Sequence, residues 1–209
     1  MIIAGAGSAG KETLAFYVTT EGKGVSDIYE KSNLKDVYFY DTGKDCQDLL
    51  FGIYPVIKTT DELLPIIKKN PDFCVAIGHP RLRERVFNSL VELGGHPKNI
   101  IRYSSVNLFS EIPEGQANII HPGVNISYDF EIGKSCIIHA NAVIGHKVRM
   151  GNFVNVSPLC SIIGPCEIGD YAYIAAGSVV LPHHKIGRYA IIPAGSVVNR
   201  DVKDYETFE

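Results

Sequence analysis

The chain has 209 residues, 45% of them hydrophobic, with 20 basic and 23 acidic side chains and a formal charge of −3. That length and composition support well-packed cores, and the near balance of charge, with no long like-charged run, gives no electrostatic grounds for partnership with nucleic acid or an anionic membrane surface. No apolar stretch approaches the roughly 20 residues that span a bilayer, the first residues carry no signal-type pattern, and five cysteines without CxxC spacing read as reduced packing residues, so a cytoplasmic protein is expected.

Residues 1–4 (MIIA) read as a short apolar strand, followed by the glycine turn GAGSAG and a helix over 11–20. Gly5, Gly7 and Gly10 satisfy the GxGxxG spacing between a strand and a helix. There glycine lets a phosphate or ring approach the backbone, and the helix start offers free amides. A second strand over 37–40 ends at Asp41. Asp41 lies too far on to be the acidic residue that holds a dinucleotide ribose about 20 positions after the glycines. Nicotinamide chemistry is therefore disfavoured, and a purely structural tight turn is a second reading of the glycines. Thr60 opens a helix with Asp61 and Glu62 in its first turn, residues 73–77 form a buried strand ending before Gly78, and 81–93 form an amphipathic helix closed by Gly94 and Gly95. With Ile100 and Ile101 as a last strand, this alternation predicts a small, parallel, Rossmann-like α/β domain of the nucleotide-binding type over residues 1–103.

The pattern then changes. Fourteen positions spaced by six, from Ile120 to Val198, are all aliphatic or methionine, and the position four beyond each is mostly small, as at Cys136, Ala142, Cys160, Cys166, Ala172, Ser178, Ala190 and Ser196. Ile132-Gly133, Met150-Gly151, Ile168-Gly169 and Ile186-Gly187 add a higher period of eighteen. The physical solution is a triangular prism: each hexad is one side, its aliphatic residue points at the axis, and three hexads close one coil. These residues resemble the left-handed parallel β-helix of the hexapeptide-repeat acyltransferases, which predicts that fold over residues 104–209, with about four and a half coils from Ile120 to Val198.

A small glycine-turn domain followed directly by such a prism resembles the sugar acyltransferases that modify nucleotide-linked aminosugars, together with their sialic acid O-acetyltransferase relatives. The match runs through GAGSAGKE at the start, the strand ending at Asp41, the Ala76-Ile77-Gly78 strand end followed by Arg83, and residues 142–202. The resemblance implies a cytoplasmic homotrimer that works on surface-polysaccharide precursors, transferring an acetyl group from acetyl-CoA to an amine or hydroxyl of a nucleotide sugar. It implies that the front domain holds the nucleotide, near Gly5, Gly7, Gly10, Asp41 and Gly78. Acyl-CoA would lie along the prism past Ala176, Gly177, Ala194 and Gly195. The segment Asn141-Ala142-Val143-Ile144-Gly145-His146 matches the one that delivers the family's catalytic histidine, and Gly164 matches the glycine whose amide holds the oxyanion. Histidine suits a general base because its ordinary pKa lies near working pH.

Two departures from the family pattern stand out. Lys147 replaces the acidic residue that usually follows the histidine, and Asn155 replaces a second family histidine and is expected to change substrate contacts. A catalytically weak or inactive nucleotide-sugar-binding trimer is the alternative they raise, and sialic acid O-acetylation is another. The chain stops at Glu209, short of the Gly-x-Pro-Ala ending typical of the family, so part of the CoA contact is expected to be missing. His121 and His139, eighteen apart, read as a surface ladder on equivalent corners, with His139 also a candidate for the groove of His146. His79 reads equally as a ligand group or a loop residue, and His184 takes an inward slot for no evident reason. A prism of the γ-class carbonic anhydrase kind would need three histidines, two of them five residues apart. None of His121, His139, His146, His183 and His184 forms such a pair, so no metal is expected.

Overall fold

A computed structural model describes residues 1–20, 36–101 and 107–209. In the front domain β1 (Ile2–Ala4) runs between β2 (Tyr38–Tyr40) and β5 (Asp72–Val75), with both pairings parallel. The sheet continues outward through β4 (Tyr54–Ile57) to β3 (Leu49–Leu50) on one side and to β6 (His96–Pro97) on the other. Helices α1 (Ser8–Thr20), α2 (Thr60–Lys69) and α3 (Pro80–Glu92) are its connections. Thr59 caps α2, its side chain accepting from the amide of Glu62, and acidic residues in the first turn with lysines in the last suit the helix dipole. The β3–β4 hairpin, which pairs antiparallel, was not expected from the hydrophobic pattern.

The second half is a left-handed parallel β-helix of three sides. Side I stacks β7 (Ile100–Ile101), β9 (Ile119–Ile120), β12 (Ile137–Ile138), β15 (Asn155–Val156), β18 (Tyr173–Ile174) and β21 (Ile191–Ile192). Side II stacks β8 (Asn107–Leu108), β10 (Asn125–Ile126), β13 (Val143–Ile144), β16 (Ser161–Ile162), β19 (Val179–Val180) and β22 (Val197–Val198). Side III stacks β11 (Glu131–Ile132), β14 (Val148–Met150), β17 (Cys166–Ile168) and β20 (Lys185–Ile186). All fourteen hexad residues are buried in one column, so the sequence register and the packing register coincide. Cys136, Cys160 and Cys166 are free thiols in this wall that donate to backbone carbonyls of the next coil. Burial pushes the Cys136 thiol up to about 12.

Ile100 and Ile101 do not close the front sheet as the alternation predicts. They pair with Ile119 and Ile120 and so belong to side I. Short apolar strands look alike in sequence whichever sheet receives them. The expected junction at 103/104 lies outside the described residues. The prism extends beyond the hexad run at both ends, through β7 and β8 and through bridges from Ile186 to Val202 and from Ile191 to Thr207. No helix among the described residues is long and apolar enough to cross a membrane.

The front domain covers the lower coils of side I. Ile100, Ile119 and Ile137 point outward from the prism into the same core as Ile3, Leu14 and Cys74. At the edge between sides III and I, Arg83 is fully buried without a carboxylate partner among the described residues. Its guanidinium donates to the carbonyls of Ile77 and Gly78 in the front domain, and to those of Ser135 (2.8 Å) and Phe153 (2.5 Å) in the prism. Burial lowers its pKa to about 10, so it stays charged at neutral pH. Beside it Phe153, Tyr171 and Tyr189 stack with ring planes within 6° of parallel. The Tyr171 hydroxyl donates to Glu84 and the Arg81 guanidinium lies over Tyr189, both from α3. Replacing Arg83 by Met keeps the volume but removes every one of these donors. Denaturant unfolding should show a loss of about 2–4 kcal/mol, with Arg83→Lys recovering only part. A loss too small to measure would mean that the apolar seam alone holds the domains together.

Candidate active site

The three sides meet at three edges, and these sort the predicted residues. At almost every turn the residue three beyond the inward one has a left-handed backbone, as at Ser135, Asn141, Lys147, Phe153, Leu159, Tyr171 and His183. At position 165 the turn is made instead by a cis Gly164–Pro165 bond. His146 follows β13 and precedes β14, so it stands on the edge between sides II and III. That edge lies opposite side I, which the front domain covers.

His146 is half-buried. The Tyr128 ring, one coil below, stacks on its imidazole at 5.3 Å and 10°. The Nδ1 atom is buried and has no hydrogen-bond partner among the described residues. Lys147, in the position where a carboxylate was anticipated, is exposed with φ 55°. Gly164 sits one coil above. A Cβ there would collide with the carbonyl oxygen of His146, so only glycine fits. The Gly164 N–H makes no backbone hydrogen bond among the described residues, which leaves a free donor one coil from His146. A cavity of about 760 Å³ lined by Phe109, Tyr128, Lys147 and Arg149 opens along this edge. A slightly larger depression, about 800 Å³, lies over the charged ladder Glu131, Arg149, Glu167 and Lys185 of side III and includes none of the predicted site residues.

Ala176, Gly177, Ala194 and Gly195 are exposed at successive turns of the other edge of side II, where they form a ledge without long side chains. Gly177 and Gly195 carry positive φ.

In the front domain the glycine turn is built by close approach. A Cβ on Gly10 would collide with the carbonyl oxygen of Gly5, whereas Gly7 and Gly78 face open space. The Asp41 carboxylate accepts from the amides of Ala6 (2.8 Å) and Gly43 (2.9 Å), which ties the second strand's end to the turn. Gly5, Asp41 and Ala76 are joined by backbone bonds and neighbouring strands, so these residues do share one end of the sheet. His79 is the N-cap of α3, its Nδ1 accepting from Leu82, which accounts for it structurally.

The histidine ladder differs from expectation. His121 is 2% exposed and is not on the surface. The ring of His139 lies 4.6 Å away, and both stand on the edge between sides I and II, a different edge from that of His146. Phe16 of α1 packs edge-on against His121 at 4.4 Å, and Glu12 of the same helix approaches it. Burial lowers the pKa of His121 to about 3, and that of His139 is lowered too, so both imidazoles are neutral at physiological pH. Asn155 is buried on side I, its Nδ2 donating weakly to Ser157 at 3.4 Å. Its Oδ1 lies close enough to His139 to raise that histidine's pKa, without the geometry of a formed hydrogen bond. His184 is only partly buried, with Nδ1 3.5 Å from the Asp201 carboxylate, so its inward slot is one the side chain partly leaves. Sequence reasoning missed Glu12 and Tyr128. The eighteen-residue period that links His146 to Tyr128 was available to find the second, and nothing local marks the first.

Residues 1–90 match the PglD N-terminal domain and residues 147–182 the bacterial transferase hexapeptide repeat. No curated protein sequence matches the chain. Among solved structures it is similar to a histidine variant of perosamine N-acetyltransferase from Caulobacter crescentus in complex with CoA and GDP-perosamine. The identity is 27% and the TM-score 0.77, over 97% of this chain and 90% of that one. WeeI from Acinetobacter baumannii AYE is 25% identical with a TM-score of 0.80, over 97% and 92%. The acetyltransferase domain of PglB from Neisseria gonorrhoeae FA1090, in complex with acetyl coenzyme A, shares the fold at 23% identity with a TM-score of 0.81, over 97% and 92%. With both halves matched, and the likeness spanning nearly the whole chain, the protein is similar to the hexapeptide-repeat sugar acyltransferases.

Proposed function

We propose that the protein transfers an acetyl group from acetyl-CoA to an amine of a nucleotide-linked sugar, with His146 as general base in a site shared between subunits of a homotrimer. One observation carries the reading. His146 stands on the edge of the prism opposite the side that the front domain covers, so a nucleotide held by the front domain and a base at His146 can meet only across two chains. Side II supports the same assembly. The lower coils of side I are covered, although Tyr173 (36%) and Ile191 (45%) of its upper coils are exposed, and side III carries the charged ladder, whereas side II and its edges expose Val143 (46%), Leu159 (65%), Ile163 (40%) and Val197 (55%). Burying such a face against a neighbour's different face gives a head-to-tail contact that closes into a ring.

The chemistry follows. His146 accepts a proton from the acceptor nitrogen as that nitrogen attacks the thioester carbonyl carbon. The carbonyl π electrons move to oxygen, and the Gly164 amide stabilises the oxyanion. When the carbonyl re-forms, the C–S bond breaks and the CoA sulfur departs with the proton that His146 returns, leaving an amide on the sugar. The nucleotide occupies the end of the front sheet at Gly5, Gly7, Gly10, Asp41 and Gly78, where α/β sheets bind ligands. The acyl donor runs along the ledge of Ala176, Gly177, Ala194 and Gly195. An amine acceptor is supported by the relative that binds GDP-perosamine. The unpaired Nδ1 of His146 and the lysine beside it favour a second reading, a slow enzyme or one that only binds the nucleotide sugar.

Light scattering under dilute native conditions should give a trimer, and a monomer would remove the basis for the shared site. Calorimetry with UDP-, GDP- and CMP-linked sugars should give heat with one class; heat with none, or only with NAD, would count against the nucleotide assignment. His146→Ala should keep the trimer and nucleotide affinity while acetyl transfer falls by roughly 10²- to 10⁴-fold. With an amine acceptor the deficit should shrink as pH rises, because free amine then forms unaided. Full turnover by the variant at neutral pH would leave positioning alone to explain the reaction.

A further inference from the structure

We propose that Glu12, His121 and His139 form a divalent-metal site, zinc-preferring in its chemistry, at the seam between α1 and the prism edge of sides I and II. The three offer one carboxylate oxygen and two imidazole nitrogens that all lie within 4.8 Å of one another. His121 supplies the strongest sign. Its Nδ1 is buried with no hydrogen-bond partner among the described residues, although unpaired buried nitrogen is costly and rare. The nearest candidate, Glu12 Oε1, is 4.0 Å away, too far to accept a hydrogen bond. Two ligand atoms on one tetrahedral zinc stand roughly 3.3–3.5 Å apart, from bond lengths near 2.0–2.2 Å. Closing that gap requires a shift of well under 1 Å, and the Glu12 side chain, 51% exposed, is free to supply it.

The surroundings fit a ligand set better than a packing cluster. Every group that converges here can offer a lone pair: a carboxylate, two imidazoles and the amide oxygen of Asn155. Each neutral imidazole carries one N–H, yet His121 Nδ1 and Asn155 Oδ1 find no partner among the described residues, which leaves a place that a cation would fill. A histidine that binds metal through one nitrogen ordinarily donates its other N–H to an oxygen nearby, and Asn155 Oδ1, itself buried and unsatisfied, lies beside His139 to receive it. Asn155, which stands where the resemblance implies a second histidine, thereby acquires a positioning role. Two nitrogens and one oxygen suit zinc, where calcium or magnesium would want oxygen alone. Spacing arguments confined to histidines in the prism overlook this site, because its third ligand comes from the front domain.

The test reads metal binding and is independent of acetyl transfer, so its outcome stands apart from that of the proposed reaction. The full chain, stripped with chelator and dialysed against zinc, should retain one zinc per chain by elemental analysis. Cobalt substituted for zinc should give the visible absorption of a four-coordinate ion. Zinc at about 100-fold over its dissociation constant should raise the unfolding midpoint by roughly 5–10 °C. His139→Ala and Glu12→Ala should each abolish stoichiometric binding and the thermal shift; Glu12 is exposed, so that variant tests the site without disturbing a core. Asn155→Ala should weaken binding about 10- to 100-fold. Replacing His183 and His184, which lie elsewhere, should change nothing. Retention of zinc by Glu12→Ala and His139→Ala, or no stoichiometric zinc in the unaltered protein, would overturn the proposal.

Discussion

Every sixth side chain must point at the axis of the prism, and the rest of the molecule is arranged around that constraint. Because the aliphatic column from Ile120 to Val198 has no interruption, each position modulo eighteen is assigned to a fixed side or edge. Outward chemistry is therefore placed by counting: two beyond an inward residue lies a turn, and the same turn recurs one coil later. Tyr128, His146 and Gly164 are three successive occupants of one such place, and His121 and His139, each one beyond an inward residue, are two successive occupants of another position. The column tolerates only small neighbours at its corners, which is why cysteine serves there as a small hydrophobe whose S–H finds a carbonyl. Stacked backbone pairing also leaves little freedom to shift a residue along the axis, so a substitution on this scaffold changes a site's chemistry without moving it.

A rigid column does not by itself decide where a second domain docks. That is the work of one guanidinium and a row of rings. Arg83 reaches across the seam with donors for carbonyls on both sides, satisfying groups that a turn would otherwise leave without partners. A buried arginine with no counter-ion is unfavourable in isolation, yet five geometric donors on a planar head match several carbonyls at once in a way that a lysine cannot. Phe153, Tyr171 and Tyr189 then set a flat wall along the same edge for α3 to lie against. The consequence for function is one of direction. These contacts fix the front domain at the edge between sides III and I, whereas His146 stands on the edge between sides II and III.

Much of this was legible in the sequence, and what was not has physical causes. The hexad run stated the prism, its register and its buried column, since a period of six over fourteen repeats has no competing explanation. The glycine turn was legible because Gly10 must be small where the helix meets Gly5. The β3–β4 hairpin was hidden because Leu49–Leu50 is only two residues long and carries no alternation. Ile100–Ile101 was misassigned because an apolar dipeptide does not say which sheet it joins. His79 read equally as a ligand group or a loop residue and is a cap, a role any residue with an acceptor at that place can fill. Arg83 could be tied to the family by position, but its contacts with Ser135 and Phe153 span 52 and 70 residues of separation, beyond any local signal. For the same reason Glu12 passed unnoticed.

The surroundings of His146 separate two jobs that a neighbouring carboxylate performs together. A carboxylate hydrogen-bonded to Nδ1 both holds the ring's orientation and stabilises the imidazolium formed when the other nitrogen takes a proton. Here Tyr128 does the first by stacking nearly parallel at 5.3 Å, while Nδ1 has no acceptor among the described residues and Lys147 is its neighbour in sequence. An aromatic face attracts a cation, so the tyrosine also contributes some of the second, on a scale of about 0.5–2 kcal/mol rather than that of an ion pair. The arrangement favours an acceptor that reaches the site with little proton to give up. An amine loses its proton late, after its nitrogen has already begun to bond, and asks less of the base than a hydroxyl does. On the proposed role of His146 as base, the absence of an acceptor for Nδ1 among the described residues is more easily reconciled with nitrogen than with oxygen as the atom that is acylated.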